Sequence, residues 1–320
     1  MLTKNGRPRI LAVVGPTASG KSALALTLAE RLGGEIVSCD SMQVYRGMDI
    51  GTAKPTPAEL ARVPHHLIDI LEPEQPFSAM DFADAADRAI RDICSRGRVP
   101  VLCGGTGLYL DTLLRGPETE TPGADPTVRA ELQAVADARG AEVLHGMLRE
   151  VDPVCAEAVH PNNVRRVIRA LEVFRTTGVT KSEWDRRSAQ RESPYDATVI
   201  GLEYGDRALL YDRIDRRVDQ MIAEGLVAET EALLRRGVFE ASPTARGAIG
   251  YKELLPYCLG EESLEQATET LKIATRRYAK RQMTWFRAKP YVRWVRADED
   301  GRPRKSEEIV NISIDLFTVT

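Results

Sequence analysis

Residues Gly15-Pro16-Thr17-Ala18-Ser19-Gly20-Lys21-Ser22 carry the clearest chemistry in the chain. They fit the pattern G-x-x-x-x-G-K-[ST], whose glycines let the backbone fold around an anion and turn its N–H groups inward. Lys21 adds a point charge, and Ser22 offers a hydroxyl to a magnesium ion held by the phosphate. The flanks suit such a loop. Ile10 to Val14 is an apolar, branched run of the kind a buried strand needs, and Leu24, Leu28 and Leu32 recur at helical spacing after it. The helix N-terminus adds its dipole to the lysine charge. A diphosphate or polyphosphate is the expected ligand.

Two further positions invite chemistry. Asp40 follows a second predicted strand, Glu35 to Cys39, and opens Asp40-Ser41-Met42-Gln43. A carboxylate at a strand end beside a phosphate loop can act as general base or hold magnesium through water, and general-base work typically contributes ~10²–10⁴ in rate. Asp followed by Ser also makes turns and helix caps, so both readings stand. Thr106, in Gly104-Gly105-Thr106-Gly107, offers a hydroxyl and neighbouring N–H groups, but a helix N-cap would look the same. Asp81, Asp84 and Asp87 are spaced like a metal-diphosphate motif. Ser78 ahead of them and a favourable helix dipole explain an acidic start equally well, and the loop already supplies a diphosphate site. His65-His66 has no metal-like partner set and is expected to pack or hydrogen-bond.

Basic residues fall in three stretches. Arg165, Arg166 and Arg169 share a predicted helix, with Arg165 and Arg169 on one face. Arg213, Arg216 and Arg217 form the second. The third, between Leu271 and Pro290, holds Lys272, Arg276, Arg277, Lys280, Arg281, Arg287 and Lys289 without a single acid, interleaved with Tyr278, Trp285 and Phe286. Cations interleaved with aromatics suit a nucleic-acid backbone and a stacked base, while a solvated helix face gives a similar pattern. In a chain of net charge −3, such runs point to segregated basic surface.

These residues need a scaffold that gathers them. The first 115 residues alternate apolar strands (10–14, 35–39, 99–103) with helices (23–32, 78–95, 108–114), broken by a proline- and glycine-rich loop from Gly47 to Pro76. That alternation implies a parallel sheet covered by helices, with ligands at the C-terminal strand ends, where the phosphate loop, Asp40 and Thr106 all fall. Residues Pro126 to about Trp184 read as helical, Thr198 to Leu202 as a strand returning to the sheet, and the remainder as mostly helical. The expected fold class is therefore α/β: a P-loop-type parallel sheet with a helical insertion at 121–195, a core from 1–120 and 196–320, and a helical C-terminal region.

Composition narrows the setting. The 320 residues suffice for a large core plus an elaboration, and a net charge of −3 excludes a histone-like protein. Five scattered cysteines without a C-x-x-C pair fit reduced thiols rather than a disulfide frame or a zinc site. The polar stretch Met1 to Arg9 lacks a secretory core, and no apolar run approaches the ~18 residues a bilayer requires. A cytoplasmic protein without a membrane partner is expected.

Taken together, the motifs closely resemble the tRNA dimethylallyltransferase (tRNA isopentenyltransferase) family. The resemblance rests on the loop at 15–22, Asp40 to Tyr45, Gly47 to Pro55, Val63 to Asp69, Gly104 to Tyr109, Arg169 to Val173, Gly250 to Glu253 and Thr275 to Arg287, in the family's order along nearly the whole chain. It implies transfer of a dimethylallyl group from dimethylallyl diphosphate to N6 of the adenosine 3′ of the anticodon, in tRNAs reading codons that begin with U. Mg²⁺ takes part and diphosphate leaves. By the resemblance the loop holds an isoprenoid diphosphate, whereas its motif alone would equally suit a nucleotide such as ATP.

The resemblance also distributes roles. Asp40 would accept the N6 proton, Thr106 would touch base and donor, Arg217 would stabilise the leaving diphosphate, and Ser22 would meet Mg²⁺, with Asp40 reaching it through water. Ser41, Met42 and Gln43 would contact a flipped adenosine, Gln43 by its amide. Arg165, Arg166 and Arg169 would grip the anticodon stem, with Arg129, the segment from Gly247 to Lys252 and Arg281 also near RNA. A monomer suffices for this. Asn163 stands where the family commonly has Asp, which puts a local cap in doubt, and Cys39 and Cys103 replace more usual apolar residues. A small-molecule P-loop kinase would share the loop and Asp40 but leaves the basic runs and the insertion unexplained. A nucleotide-regulated RNA-binding protein without catalysis is the third reading.

Overall fold

A computed structural model describes residues 6–116, 123, 125–189 and 192–319. It divides into two units, Met1–Leu114 with Pro194–Thr320, and Arg115–Ser193. The first is built on β1 (Arg9–Val14), whose residues from Ile10 onward are all buried. A strand covered on both faces reads as an unbroken apolar run, which is why it was conspicuous in the sequence. The chain continues through α1 (Lys21–Leu32), β2 (Gly34–Ser38), α2 (Pro57–Leu60), β3 (His65–His66), α3 (Ala79–Ser95), β4 (Val99–Gly104) and α4 (Gly107–Arg115).

The second unit holds α5 (Pro126–Arg139), α6 (Ala141–Val151), α7 (Pro153–Ala158), α8 (Val164–Thr177) and α9 (Lys181–Ala189). Leu132, Leu144, Leu148, Val167 and Leu171 form its own core. Glu172 lies fully buried there and accepts hydrogen bonds from Arg129 (2.9 and 3.1 Å), Arg169 (2.7 Å) and the Asp125 N–H (2.6 Å). Burial alone would raise its pKa, but these hydrogen bonds outweigh that effect and hold it below the usual carboxylate range. Asn163 sits at the N-cap of α8 without a side-chain capping bond.

The first unit resumes with β5 (Asp196–Glu203), α10 (Arg207–Glu224), α11 (Leu226–Arg235), α12 (Val238–Ala241), α13 (Pro243–Arg246), α14 (Tyr251–Cys258) and α15 (Leu264–Arg287). It ends with β6 (Val292–Arg296), the pair β7 (Asp298–Glu299) and β8 (Arg302–Pro303), and α16 (Ser306–Thr318). The main sheet runs β3-β2-β4-β1-β5-β6, every pairing parallel. One face packs Phe82, Ile90, Leu110 and Phe286; the other packs Leu24 and Leu28 of α1 with Val310 and Phe317 of α16. A third core joins Tyr45 and Met48, from the loop after β2, to Leu226, Phe239, Tyr251 and Leu254.

Two regions depart from the sequence reading. The loop from Gly47 to Pro76 contains α2 and a two-residue edge strand, too short to show a period. The end of the chain, read as helical, contributes β6, where exposed Arg293 and Arg296 are interspersed with buried Val292 and Val295. Arginines on an edge strand protect it from pairing with other chains, and here they disguise it as part of a basic run. The acidic start of α3 is structural. Ser78 and Asp81 form a reciprocal capping box, and Asp87 binds Arg91 and Tyr195.

Candidate active site

Strand register brings the site together. Val14 pairs with Gly104 on one side and Gly201 on the other, and Ser38 pairs with Cys103. The chain segments leaving β1, β2 and β4 therefore emerge side by side, on either side of the point where chain order reverses between β4 and β1. Beneath them lies a cavity of about 660 Å³ within the first unit. Its wall includes Thr17, Lys21 and Ser22 of the phosphate loop, Asp40 to Gln43, Arg217, Gly247, Lys252 and Arg281. A smaller recess of about 240 Å³ opens between Ala18, Gly20, Lys21 and Ser22 on one side and Arg213, Arg216 and Arg217 on the other.

Cations crowd the loop. Arg213 donates from Nε to the Ala18 carbonyl at 2.8 Å, which clamps the loop to α10. Burial is the main influence lowering the pKa of both Lys21 and Arg217. Each also feels another cation, Lys21 that of Arg217 and Arg217 that of Arg213, while Asp40 partly offsets the effect. Among the described residues the Arg217 side chain has no hydrogen bond or ion pair. Desolvated cations that repel one another are stabilised by an incoming anion, so the site is poised for one before it arrives.

The carboxylate and hydroxyls are partly engaged already. Asp40 Oδ1 accepts the Met42 N–H at 2.9 Å, the turn role, while the same side chain faces the cavity. Thr106 Oγ1 accepts the Ser41 N–H at 3.1 Å, and the Thr106 N–H donates to the Cys39 carbonyl at 3.3 Å. Thr106 thus stands directly behind Asp40 and Ser41 but is not on the cavity wall. Gln43 is more heavily engaged. Its Nε2 donates to the carbonyls of Thr52 and Ala53, both at 3.2 Å, and its Oε1 accepts from Ser38 at 2.8 Å. The Cys103 thiol faces the same cavity within hydrogen-bond reach of Ser22, and burial pushes its pKa up to about 11.

Loop 49–55 forms part of the wall and is fastened from afar. Glu229 on α11 accepts the N–H groups of Asp49, Ile50 and Gly51 at 3.0, 2.9 and 3.0 Å, and the Tyr251 hydroxyl at 2.7 Å. Lys54, its side chain 5% exposed, reaches the Tyr45 carbonyl and Asp49, both at 2.6 Å, and also Asp69.

Gln282 is the residue that sequence reasoning missed. Its carboxamide is buried, accepts the Thr17 N–H at 2.8 Å and donates to the Gly105 carbonyl at 3.1 Å. The paired glycines make room for such neighbours. A Cβ on Gly104 would lie 1.9 Å from the Cys39 carbonyl oxygen, and one on Gly105 would lie 2.1 Å from Gln282 Nε2. The signal lay within the Thr275 to Arg287 motif, where an amide sits among cations.

The basic stretches divide on inspection. In the third, Lys272 pairs with Asp219 at 2.6 Å, Arg276 with Asp215 at 2.5 Å, Arg287 with Glu203 at 3.0 Å and Lys289 with Asp111 at 2.6 Å. Arg277, Lys280 and Arg281 are exposed and, among the described residues, without an ion pair. In the second unit Arg129 and Arg169 are bound to Glu172, whereas Arg165 and Arg166 are exposed. Among the described residues no cluster of three or more His, Cys, Asp or Glu side chains could hold a metal ion. The hard oxygens of Ser22 and Asp40 on one cavity wall do fit Mg²⁺, which characteristically takes its remaining ligands from phosphate and water.

A phosphate loop at the switch point of a parallel sheet, beside a strand-end carboxylate, defines an enzyme that handles a phosphorylated group. The family model described as "IPP transferase" matches residues 43–289, and that described as "Isopentenyl transferase" matches 8–74. The chain is 48% identical over 311 residues to a tRNA dimethylallyltransferase of Geobacter sulfurreducens, covering 97% of each. It is 48% identical over 305 residues to one of Halalkalibacterium halodurans, covering 95% of this chain and 96% of the relative. Among solved structures, the full-length tRNA isopentenylpyrophosphate transferase of Bacillus halodurans matches with TM-score 0.70 at 46% identity, covering 98% of both chains. A eukaryotic dimethylallyltransferase acting on tRNA matches with TM-score 0.80 at 29% identity, covering 97% of this chain and 80% of the other. The chain belongs to the IPP transferase family.

Proposed function

We propose that this chain is a tRNA dimethylallyltransferase, moving a dimethylallyl group from dimethylallyl diphosphate to N6 of the adenosine 3′ of the anticodon, in tRNAs reading codons that begin with U. The observation that carries the reading is one cavity holding two desolvated cations, Lys21 and Arg217, next to a carboxylate with room to accept a proton. An exocyclic adenine amine is a weak nucleophile because its lone pair is delocalised into the ring. Displacement at the allylic carbon therefore depends on stabilising the departing diphosphate. Lys21, Arg217 and the loop N–H groups supply that, and losing one such donor typically costs ~10²–10³ in rate. As N6 bonds to the allylic carbon and the C–O bond to diphosphate breaks, Asp40 takes the N6 proton. Ser22 and Asp40 are the residues that would hold Mg²⁺, which neutralises diphosphate charge.

The adenosine must leave its stack to reach this cavity. In this reading Gln43 contacts the base once an Nε2 hydrogen bond to the Thr52 or Ala53 carbonyl is exchanged for it. Arg165, Arg166 and the exposed cations of α15 are the groups proposed to meet RNA. A monomeric working unit is part of the proposal. So is a cytoplasmic setting, which five free cysteines support, and no described helix is long and apolar enough to cross a membrane.

Single-turnover incubation with labelled dimethylallyl diphosphate, Mg²⁺ and an unmodified anticodon stem-loop tests this. Label enters RNA, falls by ~10²–10⁴ with Asp40→Asn, and disappears when guanosine replaces the target adenosine. ATP hydrolysis or phosphoryl transfer to a small molecule, with no label in RNA, would overturn it in favour of a kinase.

A further inference from the structure

We propose that Gln282 is a positioning residue that ties the phosphate loop to the Gly104–Thr106 turn, so that the donor's diphosphate and the Asp40 side of the site are held at one fixed separation. The inference rests on the prenyl-transfer reading only for its kinetic consequence. Its structural basis is independent of that reading.

Gln282 lies on α15 and is 5% exposed. One amide spans two loops far apart in sequence, accepting from Thr17 N–H at 2.8 Å and donating to Gly105 O at 3.1 Å. The pairing fixes the amide orientation, because a backbone N–H needs an acceptor and a carbonyl needs a donor. Among the described residues no other backbone hydrogen bond joins residues 16–20 to residues 105–106, so the carboxamide is the polar link between them. Gly105 is shaped to it, since any Cβ there would strike Nε2. From Gly105 the link passes to Thr106, whose hydroxyl and N–H hold Ser41 and Cys39 on either side of Asp40. Thr17 stands at one end of this path and Asp40 at the other. A shift of ~1 Å between reacting groups can cost ~10²-fold in rate without removing either group.

The experiment compares wild type with Gln282→Met, which satisfies neither loop, and Gln282→Glu, which keeps an acceptor for Thr17 but has no donor for Gly105. Hydrogen exchange is followed with and without inorganic diphosphate and Mg²⁺. In wild type, diphosphate slows exchange both in residues 15–22 and in residues 104–110. In both variants, residues 15–22 remain protected while residues 104–110 exchange at the unliganded rate. Single-turnover transfer falls by about 10²-fold, with diphosphate and stem-loop affinities within about threefold of wild type. Equal protection of residues 104–110 in all three proteins, or in none, would overturn the inference. So would a transfer loss matched by an equal loss of diphosphate affinity, which would make Gln282 part of the binding loop alone. If wild type transfers no prenyl group yet shows the coupled protection, the proposed function fails and this inference stands.

Discussion

Arg217 and Arg129 are the same residue type serving opposite ends. Arg129, with Arg169, encloses Glu172, a carboxylate with no exposed surface, and its guanidinium is taken up by that ion pair. Arg217 lines the cavity beside Lys21; among the described residues no acid forms an ion pair with it, burial lowers its pKa, and Asp40 offsets this only in part. The difference teaches how to read a cation. One enclosed by an acid holds the fold, and one left desolvated without an acid awaits a ligand. By the first half of that criterion Lys272, Arg276 and Lys289 are structural, while Arg277, Lys280, Arg281, Arg165 and Arg166 are solvated, meet neither half, and are the cations proposed to meet RNA.

The comparison can be broken most sharply at the cavity. Lys21→Ala should cut single-turnover transfer by about 10³-fold and Arg217→Gln by about 10²-fold, with melting temperature unchanged or raised. A fall in stability with unchanged chemistry would make these cations structural after all. Removing the acid from the other region should do the reverse. Glu172→Ala leaves two arginines without their buried counter-ion and should destabilise the second unit by about 3 kcal/mol, read by denaturant unfolding, with the transfer step intact at saturating stem-loop.

A smaller effect separates the arginines within α8. Arg165→Ala with Arg166→Ala should weaken stem-loop binding by roughly tenfold and reduce the salt dependence of log Kd by roughly one per arginine, leaving kcat alone. Titrations at several salt concentrations would show it. The mildest test concerns Glu35 on β2, which Arg96 and, at 2.8 Å, His66 hold at a pKa of about 2 against a usual 4.5. A lowered carboxylate pKa contributes stability that is complete above about pH 4.5 and lost as pH falls toward 2. Glu35→Gln should therefore lower the melting temperature at neutral pH and flatten its decline on the acid side.

Contiguous features were legible in the sequence. The phosphate loop is one unbroken stretch, and β1 and β4 are largely apolar because both faces are covered, so the sheet and its ligand end followed from pattern alone. Features made by distant residues were not. The run from Leu271 to Pro290 is acid-free along the chain yet meets Asp219, Asp215, Glu203 and Asp111 in space. Gln282 touches partners 265 and 177 residues away, and nothing in its neighbours' spacing announces them. The two-residue β3 offers too little for any period to register.

Glu229 has a consequence for anyone wishing to redesign the cavity. Its carboxylate grips three successive amides at 49–51, and residues 51–55 face the ligand space. Anchor and lining thus overlap only at Gly51 on one short loop. Gln43 holds the carbonyls of 52 and 53, the Thr52 hydroxyl donates to the Met48 carbonyl at 2.6 Å, and Ala53 has φ +50°. A reshaped wall therefore keeps a hydroxyl at 52 and a residue tolerant of left-handed backbone at 53, with Glu229 and the backbone it binds left untouched.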